Sequence, residues 1–274
     1  MRTKQAITQT LLIVFGIVIV VVSLFPLVWM MLGSLKTDTE VFAIPFHFFP
    51  EAPNLANYAK LLENFDFIRS ILITFAGAAL FTLGTLTVCS LAAYAFARID
   101  FPGKKALWTY FIMTMFIPSI ALLIPAYIII VRLNMLNTLW ALILPAMASA
   151  PTIFFIRQFY LNIPISLEEA AALDGCSRFK TFLHVFVPMS YPVFVIMGIG
   201  AFLGYWNAYV WPVLTISNPA LYPVMQQLAF YRSDHIKQYG VILAGSTLSA
   251  VPTIVLFLIF QEHIIKGIKI AGLK

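Results

Sequence analysis

The sequence predicts an all-α membrane protein built on six transmembrane helices. Three observations carry that reading. Apolar residues make up 61% of the 274-residue chain and charged residues only 10%, where a soluble domain carries about 25%. So little charge cannot cover so much apolar surface, and lipid must cover the rest. Six segments, 10–32, 70–97, 107–131, 138–156, 189–215 and 239–260, contain no Asp, Glu, Lys, Arg or His. Each is long enough to cross a hydrocarbon core, which takes roughly 17–25 helical residues. The lysines and arginines are also shared unequally between the connecting segments, as cytoplasmic and outer loops require.

The segments justify themselves in order. Arg2 and Lys4 precede the first, as in a signal peptide. Its apolar run is too long for one, and Pro26-Leu27-Val28-Trp29-Met30-Met31 continues it where a small-residue cleavage site would stand, so it reads as a retained span. In the second, Ala76, Gly77, Ala78, Ala79 and Gly84 suit close helix packing. Pro118, Pro125, Pro145 and Pro151 are expected to kink or interrupt the third and fourth. Gly200 and Gly204 in the fifth form a small-xxx-small pattern, read as ordinary helix packing. With the N-terminus inside, the inner segments hold eleven Lys and Arg and the outer ones six. The chain therefore reads as one membrane domain over 1–274, with both termini cytoplasmic, a long inner loop at 157–188 and long outer loops at about 33–69 and 216–238. The outer loops carry mixed charge (Lys36, Asp38, Glu40, Glu51, Glu63, Asp66, Asp234 and Lys237) on what reads as a solvated surface.

Several function classes are disfavoured. The net charge of +6 comes from residues between apolar runs rather than from a basic stripe, which argues against nucleic acid. Cys89 and Cys176 are not expected to pair, and His47, His184, His235 and His263 lack metal-ligand spacing. No Gly-x4-Gly-Lys-Ser/Thr loop is present, so nucleotide is expected to be handled elsewhere. An ion-coupled carrier of a small polar solute is the alternative, but such carriers usually hold an ionisable residue near the midplane, and these spans have none. A membrane enzyme lacks a carboxylate pair or nucleophile–base set.

The loop 157–188 carries the sharpest signal. Ser166 and Glu169 have capping-box spacing, predicting a helix that starts after Pro164. The alanines Ala170, Ala171 and Ala172 favour it, and Gly175 is placed to end it. Ser177 can cap a second helix from Arg178 to about Phe186, with Phe179, Phe182, Leu183 and Phe186 on one face. Pro188 suits the first turn of the next span. The result is a cytoplasmic helix–turn–helix elbow.

Glu169-Ala170-Ala171, three residues, Gly175, nine residues, then Val185-x-Val187-Pro188 resembles the EAA loop of bacterial ABC importer permeases, with valines where that pattern has Ile and Leu. Other stretches resemble the maltose-type carbohydrate permeases: Pro26 to Met30 with Ser34-Leu35-Lys36, Asn54-Leu55-Ala56-Asn57-Tyr58, Tyr205-Trp206-Asn207-Ala208-Tyr209-Val210-Trp211-Pro212, and the tail from Gly240 to Lys274. The resemblance implies the MetI-like fold with a cytoplasmic EAA coupling helix. It implies docking of a cytoplasmic ATP-binding subunit dimer, which holds the ATP and Mg, against Glu168, Glu169, Ala170, Ala171, Asp174, Gly175, Phe179 and Pro188. It also implies a second permease subunit, usually a different chain, and an extracellular or periplasmic sugar-binding protein seated on the outer loops. No cofactor is expected on this chain itself.

A neutral sugar is recognised by aromatic faces and hydrogen-bonding groups. The fifth segment offers Tyr205, Trp206, Asn207 and Tyr209 as a substrate pathway. Asn207, an amide in an apolar run, is expected to pair with another helix or line a wet path.

Overall fold

The computed structural model describes residues 2–63, 65–234 and 238–272. His235, Lys237, Leu273 and Lys274, which entered the sequence reading, lie outside the described residues. Among those described there is no strand. Three helices are long and apolar enough to cross a membrane, and the number rises to six when each bent helix pair counts as one span.

The helices of the transmembrane segments are α1 (Arg2–Ser34), α2 (Phe65–Arg98), α3 (Lys104–Met113) with α4 (Leu123–Arg132), α5 (Leu139–Ile143) with α6 (Ala150–Leu161), and further along the chain Tyr191–Trp206 and Tyr239–Gly272. The third and fourth segments break at proline as expected. The third turns through 102° at Ile117–Pro118, between two 3-10 turns. The fourth turns through 48°, with Pro145 in a 3-10 turn and Pro151 in the first turn of α6. Proline has no N–H to give the preceding turn, so the helix restarts beyond it.

The chain divides into two compact units. The first comprises residues 1–68 and 227–252. Its hub is Asn57 in the short helix Ala56–Glu63, whose amide donates to the carbonyls of Ser34 (2.8 Å) and Lys36 (2.7 Å) at the end of α1. The Ser34 hydroxyl lies 2.7 Å from the Tyr58 hydroxyl. The stretch Asn54–Tyr58 thus ties off the first span's exposed carbonyls. Two charges of the 33–69 loop are structural rather than solvated. Lys36 is buried, donating to the His47 carbonyl beside the Phe46 ring, and Asp38 accepts from the Gly240 amide at 2.8 Å. Most of α1 faces outward, as a lipid-bathed helix does.

The second unit comprises residues 69–226 and 253–274. Its core packs Cys89, Ala93 and Tyr94 of α2 against Ile153, Ile156 and Tyr160 of α6 and against Phe182 and Phe186. Cys89 and Cys176 are both free thiols. The small residues of α2 do serve close packing. A Cβ on Gly77 would sit 2.6 Å from Cζ of the buried Tyr205 ring, and one on Gly84 would overlap the end of Met147. Gly77→Ala is expected to lower stability by about 1–3 kcal/mol. Gly84→Ala should cost less, because a methionine tip can swing aside. Thermal unfolding in detergent, comparing the two variants with wild type, checks that order.

Candidate functional site

The elbow forms as a helix–turn–helix, though by different local chemistry than predicted at its start. The helix α7 (Ile165–Leu173) begins directly after Pro164, whose extended backbone serves as the cap with no side-chain hydrogen bond. Ser166 therefore lies inside the helix, and the Ser166–Glu169 capping box does not form. Pro164 fixes its own φ near the value a cap tolerates, so no side chain is needed to set the entry angle. The C-terminal end is as expected. Gly175 has φ +79°, its N–H donates to Ala172 O (3.0 Å), and the Cys176 N–H donates to Ala171 O (2.9 Å). This crossed pair is the Schellman arrangement, which needs a left-handed residue at Gly175.

The second arm starts at α8 (Arg178–Thr181), capped by the Ser177 hydroxyl accepting from Lys180 N. It does not continue as a regular α-helix. Residues Phe182–Phe186 form a π turn, and helix resumes at Val187–Met189 before bending by 78° into α9 (Tyr191–Trp206). Pro188 thus precedes the bend instead of opening the fifth span, and Ser190 marks the joint, its hydroxyl donating to Phe186 O at 2.5 Å. The predicted single aromatic face is also split. Phe182 and Phe186 are buried, whereas Phe179 and Leu183 are exposed. A wider turn changes the angle between successive side chains.

The elbow presents two faces. Outward lie Glu169, Ala170, Asp174, Gly175 and Phe179, with Pro188 further along. Sequence reading missed Leu173, which is 89% exposed and enlarges the apolar part of this face. Glu168 and Ala171 turn inward. Adjacent side chains on a helix point in different directions, which lets the paired glutamates divide between the two faces. Glu168 Oε1 lies 2.9 Å from Arg98 Nε, the distance of an ion pair, although the N–H is not aimed squarely at the oxygen. Burial pushes the Glu168 carboxyl above the ordinary carboxylate range, and Arg98 offsets only part of that rise.

A cavity of about 470 Å3 opens between α2, α6 and α9. Phe81, Tyr205 and Trp211 supply aromatic walls, Thr85, Ser149 and Thr152 supply hydroxyls, and Gly200 and Gly204 form an open side. A Cβ at either glycine would meet nothing within 4 Å among the described residues, so neither glycine shows the close helix packing expected of it.

The four pathway residues do not gather. Tyr205 lines the cavity; Trp206 is buried and stacked on Phe202 at 5.8 Å; Asn207 and Tyr209 are exposed and outside the lining. Asn207 neither pairs with another helix nor lines the cavity. It caps α9, its amide donating to Leu203 O at 3.0 Å. The fifth segment is consequently not one helix to residue 215. It restarts as α10 (Val210–Thr215), because Pro212 has no N–H to return to Ala208.

Residues 86–270 match the family described as binding-protein-dependent transport system inner membrane component. The chain is 34% identical to the sulfoquinovosyl glycerol transport system permease protein of Agrobacterium fabrum, over 94% of this chain and 91% of that one. It is 28% identical to the trehalose/maltose transport system permease protein of Thermococcus litoralis, over 99% of each. An arabinooligosaccharides transport system permease protein of Halalkalibacterium halodurans is 29% identical, over 100% and 99%. The fold is similar to a chain in the crystal structure of a bacterial ABC transporter involved in the import of the acidic polysaccharide alginate. That match has TM-score 0.84 at 19% identity and covers 96% of this chain and 98% of that one.

Two outcomes follow for the elbow. Gly175→Ala should weaken its turn by about 1–2 kcal/mol from backbone strain alone, since a Cβ there meets nothing within 4 Å. Faster amide exchange over residues 165–178 would register it. Glu168 sets a pH trend. Its folded value is raised, so its contribution to stability is complete below the ordinary carboxylate range and is lost as pH rises through the raised value. Glu168→Gln should flatten that dependence in the same exchange measurement.

Proposed function

This chain belongs to the binding-protein-dependent transport system inner-membrane component family, and from that premise we propose that it forms one permease half of an ATP-driven sugar or oligosaccharide importer. It is a non-catalytic transport subunit. The observation that carries the reading is the elbow: a short helix locked by Gly175 that exposes Glu169, Ala170, Asp174, Leu173 and Phe179 together. Small side chains let a partner approach the backbone, and the exposed carboxylates and apolar residues give it both charge and area to grip. The partner is a cytoplasmic ATP-binding subunit, which holds ATP and Mg and moves the elbow as it closes. The charge bias supports both termini and the loop 157–188 on the cytoplasmic side, with the six spans acting as one permease.

A sugar or oligosaccharide is favoured by the relatives, which are named for trehalose and maltose, for arabinooligosaccharides and for the sulfonated sulfoquinovosyl glycerol. The cavity agrees in chemistry. It combines aromatic walls with hydroxyls and carries no ionisable carboxylate, amine or imidazole in its lining. We place this chain's share of the path there, with Tyr205 the contributor among the four pathway residues. A second permease, usually a different chain, completes the channel, and an external binding protein delivers the sugar to the outer loops.

Reconstitution of the complex tests the function. The ATP-binding subunit should co-purify with this chain, and Gly175→Asp should weaken that association without affecting membrane insertion. With the cognate binding protein present, at least one of trehalose, maltose, lactose and arabinotriose should stimulate ATP hydrolysis. Silence toward all four would overturn the sugar assignment. Gly200→Leu, which fills the cavity's open side, should reduce uptake of the trisaccharide more than of the disaccharides.

A further inference from the structure

The elbow helix has little of its own to hold it in place. Among its nine described residues, Ala171 alone is buried. A helix of that length is not stable by itself in water. Ile165, Leu167 and Leu173 all lie exposed, so apolar packing does not fix its angle. The angle must come from what the helix is tied to.

The Tyr94 hydroxyl of α2 donates to Arg178 O at 3.2 Å in the second arm, and one further side chain supplies the remaining ties. Arg98 is the last residue of α2, one step beyond a charge-free run. Its Nη2 donates to Tyr160 O at 2.6 Å and also to Ile163 O. These carbonyls sit at the C-terminal end of α6, where the helix dipole favours a cation. Its Nε faces Glu168 of the elbow at 2.9 Å, and its guanidinium carbon lies 5.4 Å from the centre of the Phe186 ring in the π turn. One planar fork thus bridges four elements: α2, α6, α7 and the second arm of the elbow. The side chains of Arg98 and Glu168 are only 11% and 22% exposed, so water does little to screen or replace these contacts.

We propose that Arg98 is a positioning residue for coupling. It fixes the elbow's angle against α2 and α6, so that force on the Glu169–Gly175 face moves these spans instead of pivoting the elbow about Pro164. The inference rests on the docking role argued above. Lysine cannot substitute fully, because an ammonium is a point charge without the guanidinium's fixed fork. Glu168 matters less, since its burial already weakens its hold as an anion and a neutral amide of the same shape can lie beside Arg98 in its place.

The test uses the full complex in proteoliposomes with its binding protein, with Arg98→Met, Arg98→Lys and Glu168→Gln compared with wild type. Uptake is followed with whichever of trehalose, maltose, lactose and arabinotriose the wild type carries. A nitroxide at Ser166→Cys, exposed on α7 outside the docking face, in a Cys176→Ser background, reports elbow mobility without any sugar. For Arg98→Met, the ATP-binding subunit should still co-purify, uptake per ATP hydrolysed should fall roughly tenfold or more, and the nitroxide should become more mobile. Arg98→Lys should fall between it and wild type, and Glu168→Gln should lose least. Unchanged coupling and mobility in Arg98→Met would overturn the inference, as would loss of the ATP-binding subunit, which would make Arg98 a staple of the fold. Gly175→Asp separates the two readings. Full uptake in that variant defeats the docking role itself, whereas lost uptake there beside normal uptake in Arg98→Met defeats the Arg98 inference alone.

Discussion

Within hydrocarbon there is no water to replace a lost backbone hydrogen bond, so every interruption of a spanning helix needs a local substitute. This chain interrupts its helices often, and the substitutes can be read one by one. Asn57 satisfies the carbonyls that α1 leaves open. Ser149 and Thr138 accept the first amides of the helices that follow them. Asn207 returns its amide to Leu203, and the Trp211 indole donates to Ala141 O at 2.9 Å. The breaks are what allow an open, hydroxyl-bearing cavity inside an otherwise greasy bundle, because continuous straight helices would close it with side chains.

The same rule explains why an arginine stands where α2, α6 and the elbow meet. The end of α6 and Ile163 just beyond it present carbonyls with acceptor capacity to spare close to the boundary of the apolar region, and a guanidinium can serve two of them while facing a carboxylate. The neighbouring Arg157 behaves in kind, donating to Phe96 O at 3.1 Å while its guanidinium lies over the Trp108 ring. Both cations are inner-side charges by sequence, yet both act as side-chain caps for a neighbouring helix.

The architecture was legible because its signals are strong and local. Six uncharged runs, the prolines in the third and fourth, Gly175 as a left-handed stop and the Ser177 cap all read directly from residue type and spacing. What failed depended on contacts across the fold. Ser166 had the right spacing for a capping box, but Pro164 made it unnecessary. Asn207 looked like a polar group awaiting another helix, and its own helix supplied the partner. Gly200 and Gly204 looked like a packing seam and instead open a cavity. Arg98 drew no notice beyond its charge. The available hint was the adjacent Glu168 and Glu169, since neighbouring side chains on a helix point in different directions and one turned inward needs a cation beside it.

The division of the elbow into an inner and an outer face has a consequence for how such a subunit changes over evolutionary time. The positions that tie it to its own bundle, Glu168, Ala171, Phe182 and Phe186, are different from those that meet the outside, Glu169, Ala170, Leu173, Asp174 and Phe179. Under the docking role proposed for the elbow, substitutions in the outer set can track drift in a companion protein without disturbing the lineage's own membrane scaffold. A duplicated copy could in that way be re-addressed to a new companion by a handful of changes on one short surface.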